Sequence, residues 1–295
     1  MGAGGSLSVA SATLRGIEAL PVDVEIAASA GIPGMSIVGM PDGSVLEARA
    51  RVRCAIKASG FTVSRLRFTV NLSPGELKKT GTGFDLPLAV AMLAVTGQIP
   101  TRGLEDCMFV GELALDGSVS AVRGLVAYRR LAERTGKTLV CPASSYDGPG
   151  EGVLNIERLE DLHRGVGSLE AGGRGERREA QAGWPDLDYE DVLDQEAAKR
   201  ALVISAAGGH GLLMVGPPGA GKSMLARRLP TILPPLTPEE AEEVALIGSV
   251  AGRAGGCQGN GARPFRAPHH SISQAGMIGG GSPVRPGEVT LAHHG

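Results

Sequence analysis

The sequence predicts an α/β protein of two units, a mixed α and β unit followed by an α/β unit built around a phosphate-binding loop. Apolar residues alternate at 22–26 and 66–72, as in half-buried strands, and a helical pattern lies between them. A glycine-rich loop at 216–223 follows a short apolar run and precedes another helical pattern. With 295 residues, the chain is long enough for each unit to bury its own core.

The composition is ordinary for a globular chain, with 42% apolar and 20% charged residues. A formal net charge of −2 provides no overall basic field of the kind that attracts nucleic acid, although local basic patches stay open. Aromatic residues make up only 3% of the chain. This disfavours a protein that reads single strands by base stacking, but not one that follows the backbone.

The cysteines and the N-terminus indicate a cytoplasmic protein. Three of the four cysteines, Cys54, Cys107 and Cys141, stand in apolar patterns, and none has the close spacing of a zinc ribbon. Buried thiols of this kind fit a reducing compartment. The first residues lack the basic and apolar segments of a signal peptide. The longest apolar run, Leu86–Val95, is too short to cross a bilayer, so no membrane association is expected.

Residues 1–165 are predicted to form the first unit, with strands and helices in mixed order. The predicted strands are 22–26, 35–38, 66–72, 108–113 and 138–141, and the predicted helices are 44–59, 84–96 and 125–135. Gly60, Gly97 and Gly136 each follow a helical pattern, at the position where helices commonly end. The order predicts several antiparallel neighbours.

A linker is predicted at 166–184, because glycine and charge dominate there and large apolar side chains are scarce. Its GRGERRE run could instead be a phosphate-binding patch, although a solvated linker is the favoured interpretation. The second unit covers 185–295. Within it, a helical pattern at 189–207 leads into the apolar run before the glycine-rich loop. Thr237–Glu240 has the sequence of a capping box at the start of a later helix.

The loop GPPGAGKS has the sequence of a nucleoside-triphosphate site, and it stands between an apolar run, Leu212–Val215, and a helical pattern. Glycines allow the backbone to turn its N–H groups toward a polyphosphate, and the helix N-terminus adds positive potential. Lys222 is expected to reach the β and γ phosphates, and the Ser223 hydroxyl is expected to bind Mg²⁺. The predicted ATP-binding residues are Gly216, Pro217, Pro218, Gly219, Ala220, Gly221, Lys222, Ser223 and Met224.

The second unit resembles the start of a magnesium-chelatase-like AAA+ ATPase module of the ComM/YifB family. The residues that carry this resemblance are DVLDQ at 191–195, the loop and helix at 216–236, RPFRAPHHSIS at 263–273 and PGEVTLAHHG at 286–295. The resemblance implies ATP and Mg²⁺ as cofactors, a homo-hexamer and DNA as a partner. It also implies that Val192 lies near the adenine.

By the same resemblance, residues 279–294 form a hairpin insertion directed toward a central pore, with Arg285 and two histidine pairs near it. The pairs are His269–His270 and His293–His294. Adjacent side chains do not generally converge on one ion, so we expect structural or pore-loop roles rather than metal ligation.

The N-terminal unit resembles the Lon-protease-like domain, an α+β fold of the ribosomal S5 domain 2 type, through VNLSP at 70–74, KTGTGFDL at 79–86 and GELALDG at 111–117. Active members need a serine nucleophile and a lysine that activates it. Gly83 stands at the serine position and Val126 at the lysine position, and the neighbouring Thr82 has no activating base. The resemblance therefore implies a scaffold or oligomerisation unit without a catalytic dyad.

ATP hydrolysis also needs an acidic pair at the end of a later strand. The resemblance places that strand directly after Gly295, and Glu112 and Asp116 lie in the other unit. The expectation is a C-terminally truncated AAA+ module that binds ATP without efficient turnover, with no complete catalytic set.

Four functions are compatible with these motifs. The resemblance favours an ATP-driven motor that acts on DNA in branch migration and recombination during DNA uptake, when the protein has its full length. The alternatives are a metal-insertion ATPase of the magnesium-chelatase type, an ATP-dependent protease, and a module that only binds nucleotide or partners. The N-terminal unit disfavours the chelatase, and Gly83 and Val126 disfavour the protease.

Overall fold

The computed structural model describes residues 6–142, 151–172, 187–252, 263–281 and 284–295. The chain divides into two compact units. One comprises Met1–Glu176 and Ser249–Ala254, and the other comprises Arg177–Gly248 and Gly255–Gly295.

The first unit is built on a mixed seven-stranded sheet. In spatial order its strands are β3 (Gly34–Val38), β4 (Arg67–Ser73), β2 (Glu18–Ser29), β1 (Ser6–Arg15), β5 (Cys107–Phe109), β8 (Thr138–Cys141) and β9 (Val153–Asn155). β2 pairs antiparallel with both β1 and β4, and the other four pairings are parallel. The α/β class and the antiparallel neighbours predicted from the sequence are confirmed.

The long hairpin of β1 and β2 combines a strand that the pattern predicts with one that it misses. In β2, Val22, Val24 and Ile26 are buried while Asp23 and Glu25 are exposed, as their alternation predicts. β1 pairs with β2 over all ten of its residues, from Ser6 to Arg15. Its buried positions are mostly small or hydroxylated residues, and such residues give little apolar signal.

Three helices accompany the sheet: α1 (Gly43–Ala58), α2 (Asp85–Val95) and α3 (Leu125–Arg134). The side chain of Asp42 caps α1 by accepting a 3.0 Å hydrogen bond from the backbone N–H of Val45. α2 is buried from Asp85 to Ala94. A helix that is covered on every side has no polar face, which is why the sequence there is a continuous apolar run.

The strand predicted at 108–113 is divided in two. β5 ends at Phe109, and β6 (Glu112–Leu113) pairs with β7 (Val119–Ser120) in a separate two-stranded sheet. The chain changes direction at Gly111, where the backbone N–H donates to the Gly83 carbonyl. A side chain at Gly111 would collide with Val119, so the turn requires glycine.

The first unit continues past residue 165. Val166 is buried, and Ala171 forms an isolated antiparallel bridge with Leu154. Residues 166–172 therefore pack against the sheet, whereas residues 173–184 of the predicted linker, including the GRGERRE run, lie outside the described residues.

The second unit has a small core and short elements. Its helices and strands are α4 (Glu196–Gly208), α5 (Lys222–Ile232), α6 (Pro238–Val250), α7 (Gln274–Ile278), β10 (Gly279–Gly280), β11 (Arg285–Pro286) and α8 (Glu288–Leu291). Val192, Leu202 and Leu225 form the buried core. The capping box at the start of α6 is confirmed, because Thr237 and Glu240 exchange backbone-to-side-chain hydrogen bonds of 3.0 and 3.2 Å.

The helix predicted at 189–207 is interrupted. A 3₁₀ turn, Tyr189–Asp191, precedes α4, and the two are separated by Asp194 and Gln195, which both have positive φ. Two consecutive residues in the left-handed region end an α-helix. The helical spacing of apolar side chains does not show where such residues occur. Within the part of the chain that the structure describes, no helix has the length and apolar character needed to cross a membrane.

A buried ion pair joins the elements of the first unit. The Asp85 carboxylate is fully buried and accepts hydrogen bonds from Arg51 Nε at 2.6 Å, from Arg51 Nη2 at 2.9 Å and from the backbone N–H of Leu113 at 3.2 Å. The same guanidinium donates to the Ser44 carbonyl at 3.1 Å. Burial raises the pKa of Asp85, and the charge and hydrogen bonds of Arg51 act in the opposite direction. The pair thus ties α1, α2 and β6 together.

Replacement of this carboxylate, Asp85→Ala, should lower the free energy of unfolding of the first unit by about 3–5 kcal/mol, because it leaves the Arg51 charge without its partner. Urea unfolding followed by far-UV circular dichroism measures the loss. Glu47→Ala is the matched control, since Glu47 pairs with the same arginine at 3.7 Å but is 76% exposed and should contribute about 0–1 kcal/mol. Equal losses in the two variants would contradict the role given to Asp85.

Candidate nucleotide-binding loop

The glycine-rich loop has the backbone conformation that a phosphate cradle needs. Gly219 and Gly221 lie in the left-handed region, with φ of +81° and +79°. α5 begins directly after Gly221, so its first N–H groups face the loop. Gly216 through Gly219 are exposed, and a ligand can reach them from solvent.

Lys222 lies across the loop at the start of α5. Its ammonium group donates hydrogen bonds of 2.8 Å to the carbonyl oxygens of Gly216 and Pro217. These carbonyls hold the ammonium at the mouth of the loop, where phosphate oxygens can replace them as acceptors. Ser223 and Met224 follow in the first turn of α5, and both are exposed. The predicted site residues are therefore assembled in one continuous turn of chain.

α5 is anchored through its middle. Arg228 is buried and donates to the Asp188 carbonyl at 2.7 Å, and it bonds the Asp191 carboxylate at 3.3 Å. The Tyr189 hydroxyl donates to the Leu225 carbonyl at 3.1 Å. The backbone N–H of Asp188 and then the hydrogen bond from Arg228 lower the pKa of the Asp191 carboxyl. Segment 188–191 thus fixes the helix that presents Lys222.

The strand predicted at Leu212–Val215 is not formed, and that prediction was wrong. These residues are free of regular secondary structure, and Leu213 and Val215 are 86% and 87% exposed. Met214, between them, packs on the small core. The apolar run of a buried strand is present, but a strand also needs a hydrogen-bonded neighbour, and none of the described residues pairs with this segment.

Val192, the residue expected near the adenine, lies in the core of the second unit. Val192 is only 1% exposed and packs with Leu202 and Leu225 in the core. Its side chain is thus covered and supports the anchor of α5 rather than an open surface. The neighbouring Leu193 is exposed.

No acidic pair completes the site among the described residues after α5. Their only strands are the two-residue β10 and β11, and neither is followed by Asp–Glu. Glu288 is the second residue after β11, but its carboxylate accepts hydrogen bonds of 2.5 and 2.6 Å from Arg266.

Gly83 and Val126, which the resemblance aligns with the Lon-type dyad, both lie in the first unit. A Cβ at Gly83 would lie 3.3 Å from Val110 Cγ1, so a serine there would be crowded. The Thr82 hydroxyl donates to Glu112 at 2.6 Å, and Val126 is half-buried. Lys79, which the sequence did not single out, is fully buried; burial lowers the pKa of its ammonium, which donates to the Pro74 carbonyl.

In the segment predicted as a hairpin, 279–294, β10 pairs antiparallel with β11, whereas Glu288–Leu291 form the helix α8. The direction of the segment toward a pore stays a prediction. Arg285, in β11, is exposed. The two histidine pairs differ. His269 contacts the Ser271 hydroxyl, whereas His293 and His294 both reach the carboxylate of Glu243. The side chains of His293 and His294 thus do converge, against the premise of the expectation, whereas the structural or pore-loop roles expected for both pairs stay predictions.

Known proteins resemble both units. A family profile described as magnesium chelatase, subunit ChlI, matches residues 188–295, and one described as subunit ChlI of Mg-chelatase matches 24–145. The uncharacterized protein YifB of Salmonella typhimurium is 41% identical over 284 residues, which cover 95% of this chain and 56% of that protein. Competence protein ComM of Haemophilus influenzae is 37% identical over 296 residues, or 97% of this chain and 58% of that protein.

YifB of Escherichia coli is 40% identical over 284 residues, again 95% of this chain and 56% of that protein. The chain thus spans between 56% and 58% of the length of these relatives. Both profiles and all three relatives point to one group. The chain belongs to the magnesium-chelatase-like protein family that includes YifB and ComM.

Proposed function

We propose that the chain binds ATP and Mg²⁺ at residues 216–224. The observation that carries the proposal is the conformation of the loop, in which two left-handed glycines lead into α5 and Lys222 is held at its mouth. A triphosphate in the cradle would accept hydrogen bonds from loop N–H groups and from the ammonium. When bound, Mg²⁺ would neutralise phosphate charge, and Ser223 is the residue placed to offer it a hydroxyl.

The site binds nucleotide without efficient hydrolysis in this proposal. A cradle and a cation position the phosphates, but an acidic pair is needed to hold Mg²⁺ and orient the attacking water. Among the described residues of this unit, the loop and Lys222 offer the cradle and the cation, and neither of the two strands is followed by an acidic pair. The chain therefore acts as the nucleotide-holding part of an AAA+ module that assembles as a homo-hexamer.

At the length of its relatives, the protein is proposed to be an ATP-driven motor on DNA, acting in branch migration or recombination during DNA uptake. The printed name of ComM, a competence protein, supports this function. The second candidate is a metal-insertion ATPase, which the descriptions of the two family profiles favour. In both cases the N-terminal unit serves as a scaffold, because its Gly83 and Val126 positions provide no dyad.

Lys222→Ala should weaken ATP binding about 10-fold to 100-fold, because a hydrogen bond from a charged group contributes about 1.5–3 kcal/mol. Titration calorimetry with ATP and Mg²⁺ measures the change. Lys199→Ala is the matched control: this lysine lies on α4 and pairs with Glu196 at 3.2 Å, away from the loop. Equal affinity in the Lys222 variant and the unaltered chain would refute the assigned site.

Purified residues 1–295 should hydrolyse ATP slowly or not at all, since the acidic pair is missing from the described site. Phosphate release at saturating ATP and Mg²⁺ is the measurement. Robust turnover that disappears in Lys222→Ala would show that this chain contains a complete catalytic set, against the expectation.

Protein produced at the full length of the relatives should bind forked or four-way DNA with an affinity that falls as salt rises, and should move the junction when ATP is present. Band-shift and strand-exchange assays on a salt series follow both properties. A chelatase would instead insert Mg²⁺ into a porphyrin and leave the junction unmoved. Failure of both DNA assays would remove the motor proposal.

A further inference from the structure

Three side chains of the second unit bring metal-ligating atoms together away from the nucleotide loop. They are Glu243 on α6, and His293 and His294 after α8. One ligand atom from each lies within 4.8 Å of the other two, and this is the only such cluster among the described residues. Nothing in the proposed nucleotide chemistry uses it.

Both imidazoles face the same oxygen. The Nε2 atom of His293 lies 2.9 Å from Glu243 Oε2, and the Nε2 atom of His294 lies 2.8 Å from it. The hydrogen bond from His294, and next that from His293, lowers the pKa of Glu243. Ligand atoms around a zinc ion, bonded at about 2.0–2.2 Å, are roughly 3 Å apart. The two N···O distances are thus close to those between the ligands of one ion, and all three ligand atoms lie within 4.8 Å of one another.

The backbone at the second histidine is unusual. His294 has φ of +59°, in the left-handed region that non-glycine residues rarely adopt. In a regular strand the two side chains would point to opposite faces, whereas here the ring centroids are 3.9 Å apart and both rings reach one carboxylate oxygen. Uncommon backbone angles of this kind cluster at functional sites.

A second layer of contacts fixes the cluster. The other ring nitrogen of His294, Nδ1, lies 3.6 Å from the carboxylate of Glu240, one turn before Glu243 on α6. Glu240 is itself held by the N–H of Thr237 at 3.0 Å and by Arg263 at 3.2 Å. Arg263 also donates to the His294 carbonyl at 2.9 Å. The 3.6 Å between His294 Nδ1 and Glu240 is longer than a hydrogen bond, but it places a carboxylate beside the outer nitrogen of a histidine, as in many protein metal sites.

The geometry points to a binding site for a divalent transition-metal ion of the zinc type, with Glu243, His293 and His294 as its ligands. Imidazole nitrogens select such ions over Mg²⁺ and Ca²⁺, which prefer oxygen ligands. The site is thus distinct in chemistry from the Mg²⁺ position at Ser223. His293 and Glu243 are about half exposed, at 47% and 50%, so water can complete the coordination.

The test uses the whole chain with Zn²⁺ in calorimetry and with Co²⁺ in visible absorption, both in excess Mg²⁺. Cys54→Ser serves as the background, because Cys54 is an exposed thiol. We expect one ion per chain, and an affinity that falls at least about tenfold in Glu243→Gln, His293→Ala or His294→Ala. The matched control is the double variant His269→Ala, His270→Ala. That pair also has close rings, 4.1 Å apart, but contacts Ser271 instead of a carboxylate.

X-ray absorption of the Zn²⁺-loaded unaltered chain provides a readout that does not depend on how the variants fold. Two imidazole ligands and oxygen are expected. Sulfur ligands, or a loss of affinity in the His269/His270 variant as large as that in the cluster variants, would overturn the site. The site would also be overturned if the unaltered chain bound Zn²⁺ no more tightly than the Glu243→Gln variant, provided that circular dichroism shows both chains to be folded.

Discussion

Pairing of backbone N–H and C=O groups between neighbouring segments is the constraint on which the rest of this structure depends, because a buried unpaired group is costly. In the first unit β2 pairs its backbone groups with two neighbours, β1 and β4, and the sheet buries Val24, Val70 and Leu72 completely. In the second unit the apolar segment 212–215 has no such partner among the described residues, and Leu213 and Val215 stay exposed.

This difference determines how the nucleotide loop is held in place. Where no sheet supports it, the nucleotide loop depends on side chains: Arg228 and Tyr189 fix α5, and Lys222 satisfies two loop carbonyls. The donors of Arg228 and Lys222 are charged, and charged groups make the stronger hydrogen bonds. The loop is consequently preorganised at its C-terminal side, through α5, and exposed at its N-terminal side. A strand neighbour for 212–215 would fix the side that is now open.

The sequence predicted the elements whose signal is local. The alternation of Val22, Val24 and Ile26 and the box at Thr237–Glu240 are both present as expected. β1 was missed because its buried residues are mostly small or hydroxylated. The strand at 212–215 was predicted wrongly because an apolar run does not show whether the segment has a hydrogen-bonded partner. The loop glycines could be assigned from spacing alone. Glu243 could not, since it lies 50 residues from His293 and no motif links them.

The histidine pair shows how a shared partner changes a chemical conclusion. Adjacent side chains point apart in a regular strand, but His293 and His294 both reach one oxygen of Glu243, and His294 has a positive φ. With the ring centroids 3.9 Å apart, this one carboxylate is enough to bring three ligand atoms together. Because Glu240 supports His294 and also caps α6, the same carboxylate connects the start of that helix to the cluster. Occupation by an ion would therefore stabilise α6 against the chain segment after α8.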